Sequence, residues 1–120
     1  MNSKWAIYPW FVEAGIELIH PEDLEAFEQV ANSSKVYEVM AESEYITLRY
    51  RNNCYRVRKK LLRFVPTPKY GFEEIVKTKK NLEDAVITDT MWHYDKQEHY
   101  YFISVNNRKK SKRYFETEFL

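Results

Sequence analysis

The feature that most constrains the fold is the alternation between residues 46 and 58. Ile46, Leu48, Tyr50, Tyr55 and Val57 are apolar or aromatic, polar or charged residues lie between them, and Asn52-Asn53 interrupts the pattern at its middle. A period of two puts alternate side chains on opposite faces, which is the pattern of a half-buried β-strand, and Asn tolerates the positive φ of a tight turn. The pattern predicts a hairpin turning at Asn52-Asn53, with Arg51 opposite Cys54, Tyr50 opposite Tyr55, Arg49 opposite Arg56 and Leu48 opposite Val57. The five apolar residues then share the buried face, and Arg49, Arg51, Arg56 and Arg58 line the other.

The flanking segments extend this plan. Lys35 to Glu42 reads as a strand that turns at Glu42-Ser43-Glu44 into Tyr45 to Arg51, so a three-strand meander is expected. His20 to Phe27 carries Pro21 and acidic residues ahead of Leu24 and Phe27 at helical spacing, which predicts a short helix. Trp5 to Phe11 is too aromatic for a free tail and is expected to pack on the body, with Pro9 confining any strand there to a sheet edge. Aromatic residues make up 17% of the chain and glycine supplies only two positions, which favours strands and leaves nothing from which to build a phosphate-cradling loop or a nucleophile elbow. The single cysteine, Cys54, excludes an internal disulfide, and the sequence shows neither a signal peptide nor an apolar run long enough for a membrane span, which predicts a cytoplasmic protein.

The second half repeats the first. A shift of 54 residues lays Lys35–Asn53 over Asp89–Asn107 without a gap, and three extra residues then bring Val57–Leu62 over Tyr114–Phe119. Pro66-Thr67-Pro68 reads as a stiff linker, so two units are expected, 1–66 with the aromatic arm and the helix, and 67–120. The order Trp92-His93-Tyr94, Tyr100-Tyr101-Phe102 and Arg113-Tyr114-Phe115 resembles bacterial SH3-like and Tudor-like barrels, most of all over the last fifty residues or so. The expected fold class is α+β, mostly β, with two small SH3-like units and one short helix near the N-terminus. The resemblance implies a binding module.

The near-neutral total hides a segregation of charge. Residues 1–48 hold two basic residues against nine acidic ones, residues 49–80 hold eleven against two, and residues 81–120 hold six against seven. Segregated charge steers association and partner choice. Arg49, Arg51, Arg56 and Arg58, extended by Lys59 and Lys60, form the candidate basic patch for a nucleic-acid reading, with residues 108–113 as a second basic cluster. Against that reading stands the acidic first third, which either stays clear of phosphates or packs beside the arginines and neutralises them. A protein-binding reading takes Trp10, Trp92, Tyr94, Tyr101 and Arg108 as anchors, although alternate strand positions must serve the core.

Enzyme chemistry is the least supported class. His93 and His99 flank a predicted loop but bring no third ligand, His20-Pro21 reads as a turn, and Cys54 reads as a strand-end thiol beside arginines. No catalytic residue, metal site or cofactor is expected. The opening Trp5-Ala6-Ile7-Tyr8-Pro9-Trp10-Phe11, with the chain's size and composition, resembles a family of phage-encoded inhibitors of bacterial defence-associated sirtuins. That resemblance implies a non-enzymatic anti-defence protein in the host bacterial cytoplasm, monomeric when free, which binds and inactivates a large NAD-degrading protein. It assigns no residue a role.

Overall fold

The computed structural model describes residues 3–120, and the chain divides into two compact units, Met1–Thr67 and Pro68–Leu120. Each unit is built on an open five-stranded antiparallel sheet, and the fold is mostly β with one short α-helix among the described residues.

In the first unit the strands are β1 (Lys4–Ile7), β2 (Val36–Glu42), β3 (Ile46–Tyr50), β4 (Asn53–Val57) and β5 (Arg63–Val65). They lie in the order β4-β3-β2-β1-β5, with helix α1 (Leu24–Val30) between β1 and β2 in sequence. The hairpin forms with a shifted turn: Tyr50 pairs with Asn53, Leu48 with Tyr55 and Ile46 with Val57, so Arg51 and Asn52 make the turn and Arg51 takes the positive φ of 54°. Moving a hairpin's centre by one residue moves each partner by two, so sidedness survives. Ile46, Leu48, Tyr55 and Val57 are accordingly buried, and Tyr50 is half-buried. The aromatic arm corrects an expectation. β1 is an interior strand, paired with β2 on one side and β5 on the other, because Pro9 falls beyond the strand's last residue and costs the ladder no donor.

Helix α1 is too short to persist alone and is held on the core by Phe27, its one fully buried side chain, with Leu24 and Val30 packed beside it. Phe27 is fully buried and lies 5.4–6.1 Å, ring to ring, from Tyr8, Trp10, Tyr37 and Tyr55. The outer edge of β4 is closed by the segment Leu18–His20, through Arg58 N–H to Leu18 O at 2.7 Å and His20 N–H to Arg56 O at 3.0 Å. A covered edge cannot template another strand.

The second unit contains β6 (Ile75–Lys77), β7 (Asp84–His93), β8 (Glu98–Val105), β9 (Arg108–Lys109) and β10 (Tyr114–Phe115). β6, β7 and β8 pair in sequence order, and both β9 and β10 pair with β8 on its other side, so these two form one strand interrupted by a loop. Its core contains Tyr70, Val76, Ala85, Ile87, Tyr101, Ile103, Val105 and Phe119.

The repeat seen in sequence is a repeat of architecture. Each unit runs through a meander of four strand positions and a 3-10 turn into a segment that returns antiparallel to its first strand. The turns are Lys59–Leu61 and Glu116–Glu118, as the overlay of Val57–Leu62 on Tyr114–Phe119 requires. β5 closes on β1, and Phe119–Leu120 closes on residues 77–79 through Lys79 N–H to Glu118 O and Leu120 N–H to Lys77 O, both 2.9 Å. The 54-residue shift fails by one residue at the tight turns, which fall at Arg51-Asn52 and Asn106-Asn107. Both Asn106 and Asn107 have positive φ, the conformation of a type I′ turn.

Candidate functional site

Arg49, Arg56 and Arg58 lie on the predicted outer face of the hairpin, and each meets a carboxylate from elsewhere in its unit. Arg49 donates from Nε to Glu38 Oε1 at 2.8 Å across the β2–β3 pair. Arg56 donates from Nε to Asp23 Oδ2 at 2.8 Å and from Nη2 to Asp23 Oδ1 at 3.2 Å, with Glu22 at 3.7 Å. Arg58 reaches Glu44 at 3.2 Å and stacks on Tyr45, 4.1 Å from the ring centroid. Arg51 occupies the turn, and Lys59 and Lys60 stand exposed on the 3-10 turn that follows β4.

The carboxylates record this engagement. Side-chain hydrogen bonds from Arg56 hold Asp23 below the usual carboxylate range. Burial pushes Glu38 upward, but donation from Ser3 and Arg49 outweighs it and the net shift is down. The first unit as a whole holds nine basic and nine acidic residues, so a charge split that is wide in sequence is neutral within one folded unit.

The aromatic candidates separate by parity and burial. Trp10 is buried in the first core and donates its indole N–H to Gly15 O at 2.9 Å. Tyr101 is fully buried in the second core, and Trp92 is buried against His99, with ring centroids 5.0 Å apart. These three are packing residues, which corrects the expectation that they anchor a partner. Tyr94 is exposed on the β7–β8 turn, and Arg108 is exposed as the first residue of β9. Burial raises the Tyr101 phenol to about 12.

The polar candidates do not converge on chemistry. His93 is opposite Glu98 and His99 opposite Trp92, so the two imidazoles project to opposite faces of the ribbon; His93 Nδ1 accepts the Lys96 N–H at 3.1 Å. His20 Nδ1 accepts the Glu22 N–H at 3.1 Å, and Cys54 is an exposed free thiol opposite Arg49. Among the described residues no three His, Cys, Asp or Glu side chains assemble into a metal-binding group.

Sequence reasoning missed a surface on the first unit. Phe11, Val12 and Ile16 are exposed by 59%, 50% and 54%, far more than any core role permits; Phe11 immediately precedes the 3-10 turn Val12–Ala14, and Val12 and Ile16 open it and the next one, Ile16–Leu18. The turns are rigidly placed: Trp10 anchors Gly15, whose φ of 120° only glycine adopts without strain. Glu13 and Glu17 border the apolar residues, and Glu28, one turn beyond Glu25 on α1, joins Phe11, Val12 and Glu13 around a pocket of about 220 Å3. Glu13, Glu17 and Glu28 form no ion pair among the described residues. The signal available in sequence was the run Trp10-Phe11-Val12, where adjacent apolar residues outside a strand cannot all face one core.

A family of unknown function, DUF6960, matches the chain over residues 1–120. The chain belongs to that family. No curated protein and no solved structure matches it. Among the described residues of this DUF6960 chain no helix is long and apolar enough to cross a membrane.

Proposed function

We propose that the chain is a non-enzymatic binding protein that docks on a larger protein and inhibits it. The observation that carries this reading is the surface around Phe11, Val12 and Ile16. Apolar side chains exposed by half or more on rigid backbone, rimmed by charge, have the anatomy of a protein interface, with the apolar centre supplying energy and the rim orientation. Glu13, Glu17 and Glu28, with no ion pair among the described residues, call for a partner whose complementary surface is basic around an apolar depression. The segment that resembles phage inhibitors of defence-associated sirtuins, Trp5 to Phe11, leads into this surface, which makes such an NAD-degrading protein of the bacterial cytoplasm the candidate partner. Tyr94 and Arg108, exposed on the second unit, are separate candidate contacts. The arginine face favours a nucleic-acid reading less, since Arg49, Arg56 and Arg58 already hold carboxylates.

The test mixes the chain with a purified defence-associated sirtuin and follows co-elution and NAD consumption. A stoichiometric complex with NAD consumption suppressed is expected, and Phe11→Glu with Ile16→Glu should abolish both while the chain stays folded. No complex, together with a salt-dependent shift of duplex or single-stranded nucleic acid lost on reversing Arg49, Arg56 and Arg58, overturns the proposal.

A further inference from the structure

We infer that the second unit carries a binding site for a phosphate monoester, in the cleft between the β6–β7 loop and the closing 3-10 turn. The cleft measures about 430 Å3 and is lined by Lys79, Lys80, Asn81, Lys112, Thr117 and Glu118 among others. Its walls are fixed by backbone and side-chain bonds: Lys79 N–H to Glu118 O at 2.9 Å joins one wall to the other, and Thr78 N–H to Glu83 O at 3.0 Å with Glu83 N–H to Thr78 Oγ1 at 3.1 Å closes the loop on itself. A concavity held this way is present before a ligand arrives, so little ordering cost falls on binding.

The charge in the cleft selects the ligand. Glu118 is the single carboxylate in the lining, and it is already engaged by Lys112 Nζ at 2.9 Å and by the Phe115 N–H at 2.8 Å. Burial raises its pKa, but these two donors bring the net shift below the usual carboxylate range. Lys112 and Glu118 therefore cancel. Lys79 and Lys80 both line the cleft and make no ion pair among the described residues, which leaves its lining with two uncompensated positive charges. A compact dianion matches that deficit, and lysine serves phosphate as a point charge without requiring bidentate geometry. The Thr117 hydroxyl and the Asn81 side-chain amide, which uses one N–H on Glu83 at 3.4 Å, supply further donors. The volume exceeds what a bare phosphate fills and lies at the lower end of small-molecule sites, about 300–1,000 Å3, so an organic group attached to the phosphate is accommodated.

The experiment titrates the full 15N-labelled chain with ribose 5-phosphate, inorganic phosphate, and a single-stranded oligonucleotide lacking terminal phosphates, in about 0.15 M salt. Saturable shifts centred on Lys79–Asn81, Lys112 and Thr117 are expected, larger for the ester than for inorganic phosphate. Lys79→Ala with Lys80→Ala should weaken ester binding at least tenfold, and Lys59→Ala with Lys60→Ala, which removes as much charge from the first unit, should leave it within twofold. The side chains of Lys79 and Lys80 are exposed, so the variant folds, and an unchanged amide spectrum elsewhere checks this. Equal losses in the two variants, shifts spread over all the basic loops, tighter binding of the oligonucleotide, or no saturable shift at millimolar ester would each overturn the assignment.

Discussion

Replacing Asp23 tests whether one carboxylate locks the covered edge of β4. The segment Leu18–His20 bonds Arg58 N–H and Arg56 O along that edge, but the next outward donor, the Arg56 N–H, meets no backbone carbonyl. Asp23 Oδ2 accepts it at 2.8 Å, the same oxygen that takes Arg56 Nε. Asp23 thus leaves the start of its own helix uncapped and spends its side chain on the sheet. In Asp23→Ala the part-buried N–H is orphaned, at a cost of about 1–3 kcal/mol, while the exposed guanidinium is rehydrated. We expect a loss of about 2 kcal/mol for Ala and about half that for Asn, which keeps an oxygen in place but surrenders the charge. In a unit of this size about 2 kcal/mol lowers Tm by roughly 10 °C. Urea melts and hydrogen exchange at the Arg56 amide measure both, with the amide losing protection in Ala and retaining most of it in Asn. Equal losses for Ala and Asn, or a loss for Ala below about 0.5 kcal/mol, the range of an ordinary surface change, would refute the reasoning.

Phe27→Ala removes the ring that four others pack on and should cost about 3–5 kcal/mol, read as loss of the α1 signal in circular dichroism before the sheet melts. Gly15→Ala places a Cβ at a φ of 120° and against the Glu17 carboxylate, and should destabilise the Phe11–Ile16 turns by about 1–3 kcal/mol, seen as faster proteolysis there. Asp23 and Glu38 are both held low, so the stability they confer is complete above pH about 5, clear of the ordinary carboxylate range, and is lost as pH falls through their lowered values; acid melts of Asp23→Asn should show a shallower slope there than wild type. Burial raises the phenols of Tyr8, Tyr37 and Tyr101, so the stability tied to their protonated forms is complete below pH about 10 and is lost as pH rises, and alkaline absorbance titration should show these rings ionising only with unfolding.

The strand pattern was legible because its period is short-range. Ile46, Leu48, Tyr55 and Val57 face the core whichever residue centres the turn, so an error at Asn52 left their burial unharmed. The fate of the arginines was only half legible. Their shared face follows from parity, but their partners Asp23, Glu38 and Glu44 reach them through helix placement and strand pairing, which local spacing does not encode. β1 was misjudged for a local reason, since a proline two residues past a strand's end says nothing about its ladder. The Phe11–Ile16 surface was hidden by its neighbour: Trp10 turns inward and Phe11 outward, and composition alone assigns both to one aromatic arm.

The closure of β5 on β1 also sets an order in time. Trp5 pairs with Val65, so the first unit lacks its last ladder until nearly all of its chain is available, whereas β2, β3 and β4 can zip locally as soon as they exist. During synthesis, β1 emerges first and waits with one edge bare until Arg63–Val65 leaves the ribosome. The interval in which this chain is most open to pairing with a second copy therefore falls before its own residue 65 has emerged, and slowing translation while Arg63–Val65 is still inside the ribosome should raise aggregation, while slowing it after that strand has emerged should not.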